Sequence, residues 1–397
     1  MQLSRFGQRL KPSETLAISN KAKVLRSQGR DIIDFGLGEP DFNTPANVIR
    51  AAEHAMAEGY TKYTATTGIP ELRRAIAEKL KRENHLDYTP EHIVVSSGAK
   101  QVLYNLAMVL IDPGDEVLIP RPCWVTYPAQ VEMAGGTPVI MPTTADDGFK
   151  ITGDMLRRFL TPRTKGLILN SPCNPTGVVY TPDELEDLAN VLRETDLYII
   201  TDEIYEHIVF DGVEQISIAT LDPALKERAI VVNGFSKSYA RTGWRLGYCA
   251  GPRHIMEACG RLQSQTTSNP TAFVQLAGIE ALTGPQDSVR AMAQEFERRR
   301  DVIVARLKAI DGINCLMPHG AFYVFPQVEG LLGRTYKGRR LATSVDLTDY
   351  FLEEAGVAVV PGQGFGDDRS IRLSYATSMT DIEVGLDRLA KAVQQLA

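Results

Sequence analysis

The sequence is poor in the residues that build metal centres and disulfide frameworks. It has five cysteines and six histidines among 397 residues, and the cysteines are widely spaced with no C-x-x-C pair. An odd number of scattered cysteines is typical of reduced thiols in the cytoplasm rather than of a disulfide scaffold. The histidines form no H-E-x-x-H or similar cluster. We therefore expect a cytoplasmic protein without a metal site.

Long apolar runs and an excess of basic charge are also missing. No apolar run approaches the roughly 18 to 20 residues that are needed to cross a bilayer. The 43 basic and 49 acidic residues give a net charge of −6, and no segment is basic enough to suggest nucleic-acid binding. We therefore expect neither a membrane nor a nucleic acid as a partner.

The order of the predicted elements indicates an α/β protein. Apolar runs of strand length alternate with helical stretches through the middle of the chain, which favours a largely parallel sheet covered by helices. At 397 residues, two domains are the default expectation. The pattern changes after Gly284-Pro285, where a long charged helix, about Asp287 to Ile310, is predicted. The expected strands are 93–96, 116–119, 137–141, 166–169, 197–201, 229–233 and 246–250.

The run from Asn233 to Gly247 carries the most informative residues. Lys237 follows an apolar stretch and lies in a glycine-flanked loop, and Arg245 comes eight residues later. Partial desolvation at a strand-to-loop junction lowers the pKa of a lysine and frees its nucleophilic amine to react with an aldehyde. An arginine can grip a phosphate with two parallel hydrogen bonds. Because a phosphorylated aldehyde needs both groups, this run predicts a site for pyridoxal phosphate.

Two further loops supply side chains that complement this cofactor. Asn174 lies just beyond one apolar run, and Asp202 and Tyr205 lie just beyond the next. In open parallel sheets the loops at the carboxyl ends of the strands line the ligand crevice, so we expect these side chains to converge on Lys237. Asp202 can hold a proton on a pyridine nitrogen, whereas Asn174 and Tyr205 can donate hydrogen bonds to a phenolate oxygen.

A third segment predicts the place of the phosphate. Gly98, Ala99 and Lys100 follow a predicted strand and open a predicted helix. The free N–H groups and the dipole of a helix start suit a phosphate, and a glycine allows close approach. We expect Arg245 and Ser236 to bind the same dianion.

These motifs together resemble the class I aminotransferases of the fold-type I pyridoxal-phosphate superfamily, and most nearly the bacterial subgroup of aspartate and aspartate/prephenate aminotransferases. The resemblance runs from Leu3 to the C-terminus. It implies a large cofactor-binding domain, 45–284, with a mostly parallel seven-stranded sheet, and a smaller α/β domain formed by 1–44 and 285–397. The motifs are Gly38-Glu-Pro-Asp-Phe42, Tyr63, Gly98-Ala-Lys100, Asn174-Pro-x-Gly177, Asp202-x-x-Tyr205, Lys237 to Arg245 and Arg372-Leu-Ser-Tyr-Ala-Thr377.

The resemblance also implies roles for individual residues. It implies that Trp124 stacks on the cofactor ring and that Tyr63 reaches the cofactor phosphate of the neighbouring subunit, in a homodimer with shared active sites. It further implies that Arg372 binds the α-carboxylate of the substrate, helped by Asn174, Trp124 and the backbone of Gly38.

The implied activity is the transfer of an amino group from an L-amino acid to a 2-oxo acid by a ping-pong mechanism, with Lys237 as the proton carrier. Lys11 and Thr15 lie in a segment that, in this subgroup, folds over the active site and meets the distal carboxylate of an acidic substrate. The expected donors are then aspartate and glutamate, and the acceptors 2-oxoglutarate, oxaloacetate or prephenate. A surface position for Lys11 would instead favour an aromatic or broad-specificity aminotransferase. A lyase with the same fold and cofactor is a further alternative.

Two basic segments of the sequence are expected to be solvated surface rather than parts of the active site. Arg298, Arg299 and Arg300 are expected on a solvated, salt-bridged face of the long helix. The glycine-bearing segment 333–340 is expected to be a solvated loop rather than a lid over the site.

Overall fold

The seven strands that the apolar runs predict are all present, and further short strands lie outside them. The computed structural model describes residues 2–4, 7–8 and 14–397. The strands are β1 (Ile33–Asp34), β2 (Ile93–Ser96), β3 (Glu116–Arg121), β4 (Thr137–Pro142), β5 (Thr164–Asn170), β6 (Tyr198–Asp202), β7 (Ala229–Gly234), β8 (Gly247–Ala250), β9 (Tyr323–Val324), β10 (Thr335–Tyr336), β11 (Arg339–Arg340), β12 (Val357–Ala358), β13 (Val360–Pro361) and β14 (Ile371–Ser374).

Helices separate most of these strands. They are α1 (Glu14–Ser27), α2 (Ala46–Ala57), α3 (Pro70–Asn84), α4 (Ala99–Leu110), α5 (Thr126–Met133), α6 (Gly153–Phe159), α7 (Pro182–Leu192), α8 (Pro223–Lys226), α9 (Arg253–Thr266), α10 (Ala272–Thr283), α11 (Asp287–Lys308), α12 (Ser344–Tyr350) and α13 (Met379–Val393). Helix α7 begins with a capping box, in which the Thr181 side chain accepts a hydrogen bond from the Glu184 backbone N–H and the Glu184 carboxylate accepts the Thr181 N–H.

Seven of the strands make one sheet, in the order β2-β8-β7-β6-β5-β3-β4. Strand β8 runs antiparallel to both of its neighbours, and the other pairs are parallel. The predicted α/β class with a mostly parallel seven-stranded sheet is confirmed. Strand β8 begins one residue later than predicted, because a 3₁₀ turn, Thr242–Trp244, and a left-handed Arg245 precede it.

Apolar side chains on both faces of this sheet hold the helices in place. Leu167 and Leu169 of β5 pack into one buried cluster and Ile168 packs into another on the opposite face, as the two-residue repeat of a strand requires. Burying a large aliphatic side chain stabilises the fold by about 1.5–3 kcal/mol. The covered sheet is therefore a stable platform for the loops at its carboxyl edge.

The C-terminal part of the chain adds a second, smaller set of layers. Strands β13, β14 and β9 form a three-stranded antiparallel sheet. A cluster that includes Phe296 of α11 and Leu373 of β14 is buried beside it. Gly284 and Pro285 lie between α10 and α11, where the pattern of the sequence changes. The division into 45–284 and 1–44 plus 285–397 stays a prediction.

The solvated face expected for three consecutive arginines is wrong for two of them. Arg298 is exposed and pairs with Glu295, but Arg299 and Arg300 are buried in ion pairs, with Arg299 bonded to Asp41 across 2.7 Å. A helix turns about 100° per residue, so three successive side chains cannot share one solvated face.

The basic segment 333–340 contains the hairpin of β10 and β11, and its Arg339 and Arg340 are exposed. Lys337 lies 3.6 Å from the carboxylate of Glu354. The hairpin is therefore tied to acidic side chains that follow α12.

Candidate active site

The carboxyl ends of β5, β6 and β7 open into a cavity of about 400 Å³. Asn170 and Asp202 are register partners at the ends of β5 and β6, so the loops that follow them leave the sheet side by side. The cavity brings together these predicted site residues: Gly38, Ala99, Lys100, Trp124, Asn174, Asp202, Tyr205, Ser236, Lys237, Arg245 and Arg372. Segments that are more than 300 residues apart in the sequence thus meet at one place.

Lys237 lies in the loop after β7 with its amine inside the cavity. Burial lowers the pKa of Lys237 to about 8, the carboxylate of Glu39 opposes this change, and the charges of Arg372 and Arg245 add to it. The ammonium donates a hydrogen bond to the carbonyl oxygen of Gly38. A substantial fraction of the side chain is therefore a neutral nucleophile near pH 8.

Asp202 is buried beneath the centre of the cavity. Burial raises the pKa of Asp202 to about 6, while the hydroxyl of Tyr127 and the backbone N–H of Ile204 oppose the rise. The Tyr127 hydroxyl donates to Oδ2 across 2.8 Å, and the Ile204 N–H donates to Oδ1 across 3.2 Å. The carboxylate is therefore charged at neutral pH and can pair with a protonated ring nitrogen.

Arg372 reaches the cavity from β14 and is held by neutral partners. It donates to the amide oxygen of Asn174 across 3.0 Å and to the carbonyl oxygen of Gly36 across 2.8 Å. Burial lowers the pKa of Arg372, and its Nε has no hydrogen-bond partner among the described residues. No carboxylate of the described residues forms an ion pair with Arg372. The buried guanidinium can therefore accept an anionic ligand.

The predicted phosphate cradle lies at the start of α4. Gly98 caps this helix with φ 90°, and a Cβ there would lie 2.6 Å from Nη2 of Arg245. Arg245 is itself left-handed, with φ 56°, and Nη1 donates to the carbonyl oxygen of Thr242 across 2.9 Å. The arginine is thus placed by the turn before β8 rather than by the strand itself. Its guanidinium and the free N–H groups of α4 face the cavity together with Ser236.

Lys100 and Trp124 form one wall of the cavity. The Lys100 ammonium lies 4.7 Å from the centre of the Trp124 ring, and Trp124 packs edge-to-face on Tyr127. Burial, and next the charge of Arg245, lower the pKa of Lys100. Lys100 lines the cavity and forms no ion pair with an acid of the described residues.

Among the predicted residues that the structure describes, Tyr63 and Gly98 do not line the cavity. Tyr63 is 92% exposed in the loop between α2 and α3. Lys11 lies outside the described residues, and so does the side chain of Thr15 in α1. Gly98 lies directly behind the cavity wall that Arg245 forms.

Tyr127, Tyr323 and Asn170 are cavity residues that were not predicted from the sequence. The hydroxyls of Tyr205 and Tyr323 lie 2.9 Å apart. Asn170 donates to the carbonyl oxygen of Asp202 across 2.8 Å and accepts the Asn174 N–H across 2.8 Å. Of these three, only Asn170 carried a local signal, because it ends β5 directly before the loop that carries Asn174.

Two negative findings apply to the described part of the chain alone. No helix there combines the length and the apolar character that are needed to span a membrane. No group of three or more histidine, cysteine or acidic side chains there could hold a metal ion.

Comparison with known proteins identifies the family. Residues 30–389 match the family described as aminotransferase class I and II. The chain is 48% identical to an aspartate aminotransferase of Bacillus sp. (strain YM-2) over 97% of both chains, and 49% identical to an aspartate/prephenate aminotransferase of Cereibacter sphaeroides over 93% of both. The crystal structure of the aspartate aminotransferase from Rhizobium meliloti superposes with a TM-score of 0.97, at 44% identity and with 100% of both chains covered.

The chain therefore belongs to the class I and II aminotransferases and is a transaminase that uses pyridoxal phosphate. The residues of the cavity fit this cofactor. They provide a partly neutral lysine for the aldehyde, a charged carboxylate for the ring nitrogen and a glycine-lined helix start beside an arginine for the phosphate.

Proposed function

We propose that this aminotransferase moves the amino group of aspartate or glutamate to a 2-oxo acid by a ping-pong mechanism, with 2-oxoglutarate, oxaloacetate and prephenate as candidate acceptors. The observation that carries the proposal is the excess of positive charge in the cavity. The cations Lys23, Lys100, Lys237, Arg245 and Arg372 line it, against two acids, the buried Asp202 and the exposed Glu39. The cofactor phosphate would pair with Arg245, and the α-carboxylate of the substrate with Arg372. Lys100 then remains available to a second carboxylate of the substrate.

Lys237 is the group that reacts with the cofactor and then moves the proton of the substrate. When bound, pyridoxal phosphate accepts the electrons released as the substrate Cα loses its proton. A positioned base with a pKa near the working pH typically contributes about 10²–10⁴-fold to the rate, and burial lowers the pKa of Lys237 to about 8. The neutral amine can thus take the proton from Cα and return it at C4′ of the cofactor.

The same geometry supports the remaining proposed cofactor contacts. Asp202 would keep the ring nitrogen protonated, and Asn174 and Tyr205 would donate hydrogen bonds to the ring oxygen. Trp124 would stack on the ring, and such a contact contributes about 0.5–1.5 kcal/mol beyond burial. The phosphate would be held by the backbone N–H groups of Ala99 and Lys100 and the side chains of Ser236 and Arg245, with Gly98 allowing close approach.

Arg372 binds the α-carboxylate of both substrates. Its Nη1 is oriented by Asn174 and its Nη2 by the Gly36 carbonyl oxygen, while the adjacent backbone of Gly38 lines the cavity. A fixed planar fork of this kind matches a carboxylate.

The second carboxylate is assigned to the ammonium of Lys100. The backbone of this residue belongs to the phosphate cradle, but its side chain turns toward the ring of Trp124. Lys100 is exposed in the open cavity, where a charge pair is worth about 0–1 kcal/mol, whereas a pair that substrate binding desolvates costs several kcal/mol to break. Lys11 and Thr15 stay predicted contacts of the same carboxylate.

The enzyme is also proposed to be a cytoplasmic homodimer with shared active sites. Tyr63 is 92% exposed and absent from the cavity of its own subunit, so a role at a cofactor phosphate requires a second copy. All five cysteines are free and buried, which supports a reducing compartment.

A half-reaction screen tests the substrate. The holoenzyme is mixed with one amino acid at a time, and the absorbance change of the bound cofactor is followed. We expect aspartate and glutamate to react much faster than alanine or phenylalanine, and Lys100→Met to slow the acidic donors at least tenfold more than the neutral ones. Lys165→Met is the matched control, because Lys165 lies 5.7 Å from the ring of Tyr198 outside the cavity.

Equal rates with neutral and acidic donors, unchanged in Lys100→Met, would contradict the acidic substrate and favour an aromatic or broad-specificity aminotransferase. Release of ammonia without return of the original spectrum on addition of a 2-oxo acid would favour a lyase. Intersecting rather than parallel double-reciprocal lines would contradict the ping-pong mechanism.

A further inference from the structure

The loop that carries Tyr63 combines an exposed tip with an unusually well bonded base. Tyr63 is 92% exposed. The residues that follow it, 64–69, are tied to the body of the protein by the side chains of Gln263 and Gln275, which are both fully buried at 0% exposure. Exposed loops are usually the most mobile parts of a fold, so this degree of anchoring calls for a physical reason.

Gln275, from α10, bonds the loop on both sides of its bend. Its Oε1 accepts the backbone N–H of Ile69 across 2.8 Å. Its Nε2 donates to the hydroxyl of Thr64 across 3.0 Å and to the carbonyl oxygen of Pro270 across 2.9 Å. All of the polar atoms of the side chain are used, and one of its partners is the residue next to Tyr63.

Gln263, from α9, joins the same loop to the end of β2. Its Nε2 donates to the carbonyl oxygens of Thr66, across 2.7 Å, and Val95, across 2.8 Å. Its Oε1 accepts the Ser96 hydroxyl across 2.6 Å. Because Ser96 is two residues before Gly98, this glutamine contacts both the Tyr63 loop and the strand that leads into the phosphate cradle of its own subunit.

The backbone reinforces the same arrangement. The Val95 N–H donates to the carbonyl oxygen of Thr67 across 3.0 Å. Gly68 has φ 96°, and a Cβ there would lie 2.7 Å from a methyl group of Val95. A fully satisfied buried polar network of this kind favours one backbone conformation.

We propose that Gln275 and Gln263 are positioning residues that hold Tyr63 in the conformation required by the active site of a second copy of this chain. The inference rests on the shared-site dimer proposed above. Gln275 acts mainly on the partner's site, because its side chain bonds only the Tyr63 loop and Pro270 among the described residues. Gln263 acts on both sites, since it also supports the end of β2.

Hybrid dimers separate this role from a general effect on folding. Two differently tagged chains are co-expressed, and the mixed dimers are purified. Lys237→Ala in one chain leaves a single site that can react, and that site belongs to the other chain. The glutamine substitution is then placed either in the chain with Lys237→Ala or in the chain with the intact lysine. Covalent incorporation after borohydride reduction, measured against the concentration of free pyridoxal phosphate, reports the affinity of the one reactive site.

Gln275→Leu should weaken the reactive site when it lies in the Lys237→Ala chain, and should have little effect when it lies in the other. We expect a loss of affinity of about five- to a hundredfold, as for buried groups that lose their partners. Gln263→Leu should weaken the site in both arrangements. Gln286→Leu is the matched control, because Gln286 bonds Ala281 and Gly284 rather than the Tyr63 loop, and it should not distinguish the arrangements.

Tyr63→Phe in the same two arrangements tests the premise. If Tyr63→Phe acts only from the Lys237→Ala chain but Gln275→Leu acts equally from either chain, the positioning role is wrong and the shared site stands. If Tyr63→Phe shows no dependence on the arrangement, the shared site and the inference built on it both fail. Should Gln275→Leu not fold, Gln275→Glu keeps the shape and the Oε1 acceptor, loses the Nε2 donor, and gives the same two outcomes.

Discussion

The hydroxyl of Tyr127 provides a test of how the protein keeps Asp202 charged. Asp202 is buried, and its pKa is raised to about 6 by that burial although the Tyr127 hydroxyl, 2.8 Å away, stabilises the carboxylate. A hydrogen bond to a charged group contributes about 1.5–3 kcal/mol, and about 1.4 kcal/mol corresponds to one pKa unit. Tyr127→Phe removes a bond that favours the charged form, so the pKa of Asp202 must rise. Cofactor affinity depends on the charged carboxylate and is lost as the pH falls through the pKa of Asp202. In Tyr127→Phe this loss should therefore occur at a pH about one to two units higher than in the unchanged protein.

The assay measures the dissociation constant of pyridoxal phosphate between pH 5 and 9. It is done in the Lys237→Ala background, so that the reaction of the lysine does not add its own pH dependence. Tyr180→Phe is the control, because Tyr180 is equally buried but accepts a hydrogen bond from the Ile151 N–H instead. If the midpoint of the affinity profile is the same with and without the Tyr127 hydroxyl, or moves equally in Tyr180→Phe, the reasoning about Asp202 is refuted.

Two other groups of the site give direct predictions. Arg372→Lys keeps the charge but loses the planar fork, so kcat/KM for amino-acid donors should fall about 10²–10³-fold while cofactor affinity stays within a fewfold; an equal loss of both would contradict its assignment to the substrate. Burial lowers the pKa of Lys237 to about 8, so the neutral fraction of its amine grows as the pH rises, and covalent uptake of cofactor by the cofactor-free protein should accelerate through a midpoint near pH 8. Borohydride should fix that cofactor to a peptide containing Lys237, and a label on another lysine would be the contrary result.

The sheet and most of the cavity could be predicted because their signals are local. An apolar run of strand length predicts a strand from neighbouring residues alone. The rule that ligands bind at the carboxyl ends of parallel strands also needs no knowledge of contacts between distant residues. Asn170 and Asp202 lie side by side because β5 and β6 are in register, and the polar loops that follow them must then meet. The reactivity of the Lys237 amine with an aldehyde could be predicted for the same reason, since its loop directly follows β7.

The contacts that tune the site could not be predicted, because they join residues far apart in the sequence. Tyr127 bonds Asp202 across 75 residues, and Arg372 bonds the Gly36 backbone across 336. No periodicity or motif within either segment identifies the residue that it contacts. The burial of Arg299 could not be predicted for the same reason. Its neighbours predict a solvated helix face, but the side chain is buried against Asp41, 258 residues away.

The choice of partners for Arg372 explains how a buried cation remains available to a substrate. A carboxylate partner within the protein would neutralise the guanidinium and would occupy the fork that a substrate carboxylate needs. The amide oxygen of Asn174 and the carbonyl oxygen of Gly36 instead orient Nη1 and Nη2 without adding a negative charge. Burying a cation without an anion is costly, and that cost is reduced when a substrate carboxylate enters the cavity. Part of the binding free energy of an anionic substrate therefore comes from a charge that the fold already holds in place, and replacing Asn174 by aspartate should weaken substrate binding even though it adds an ion pair.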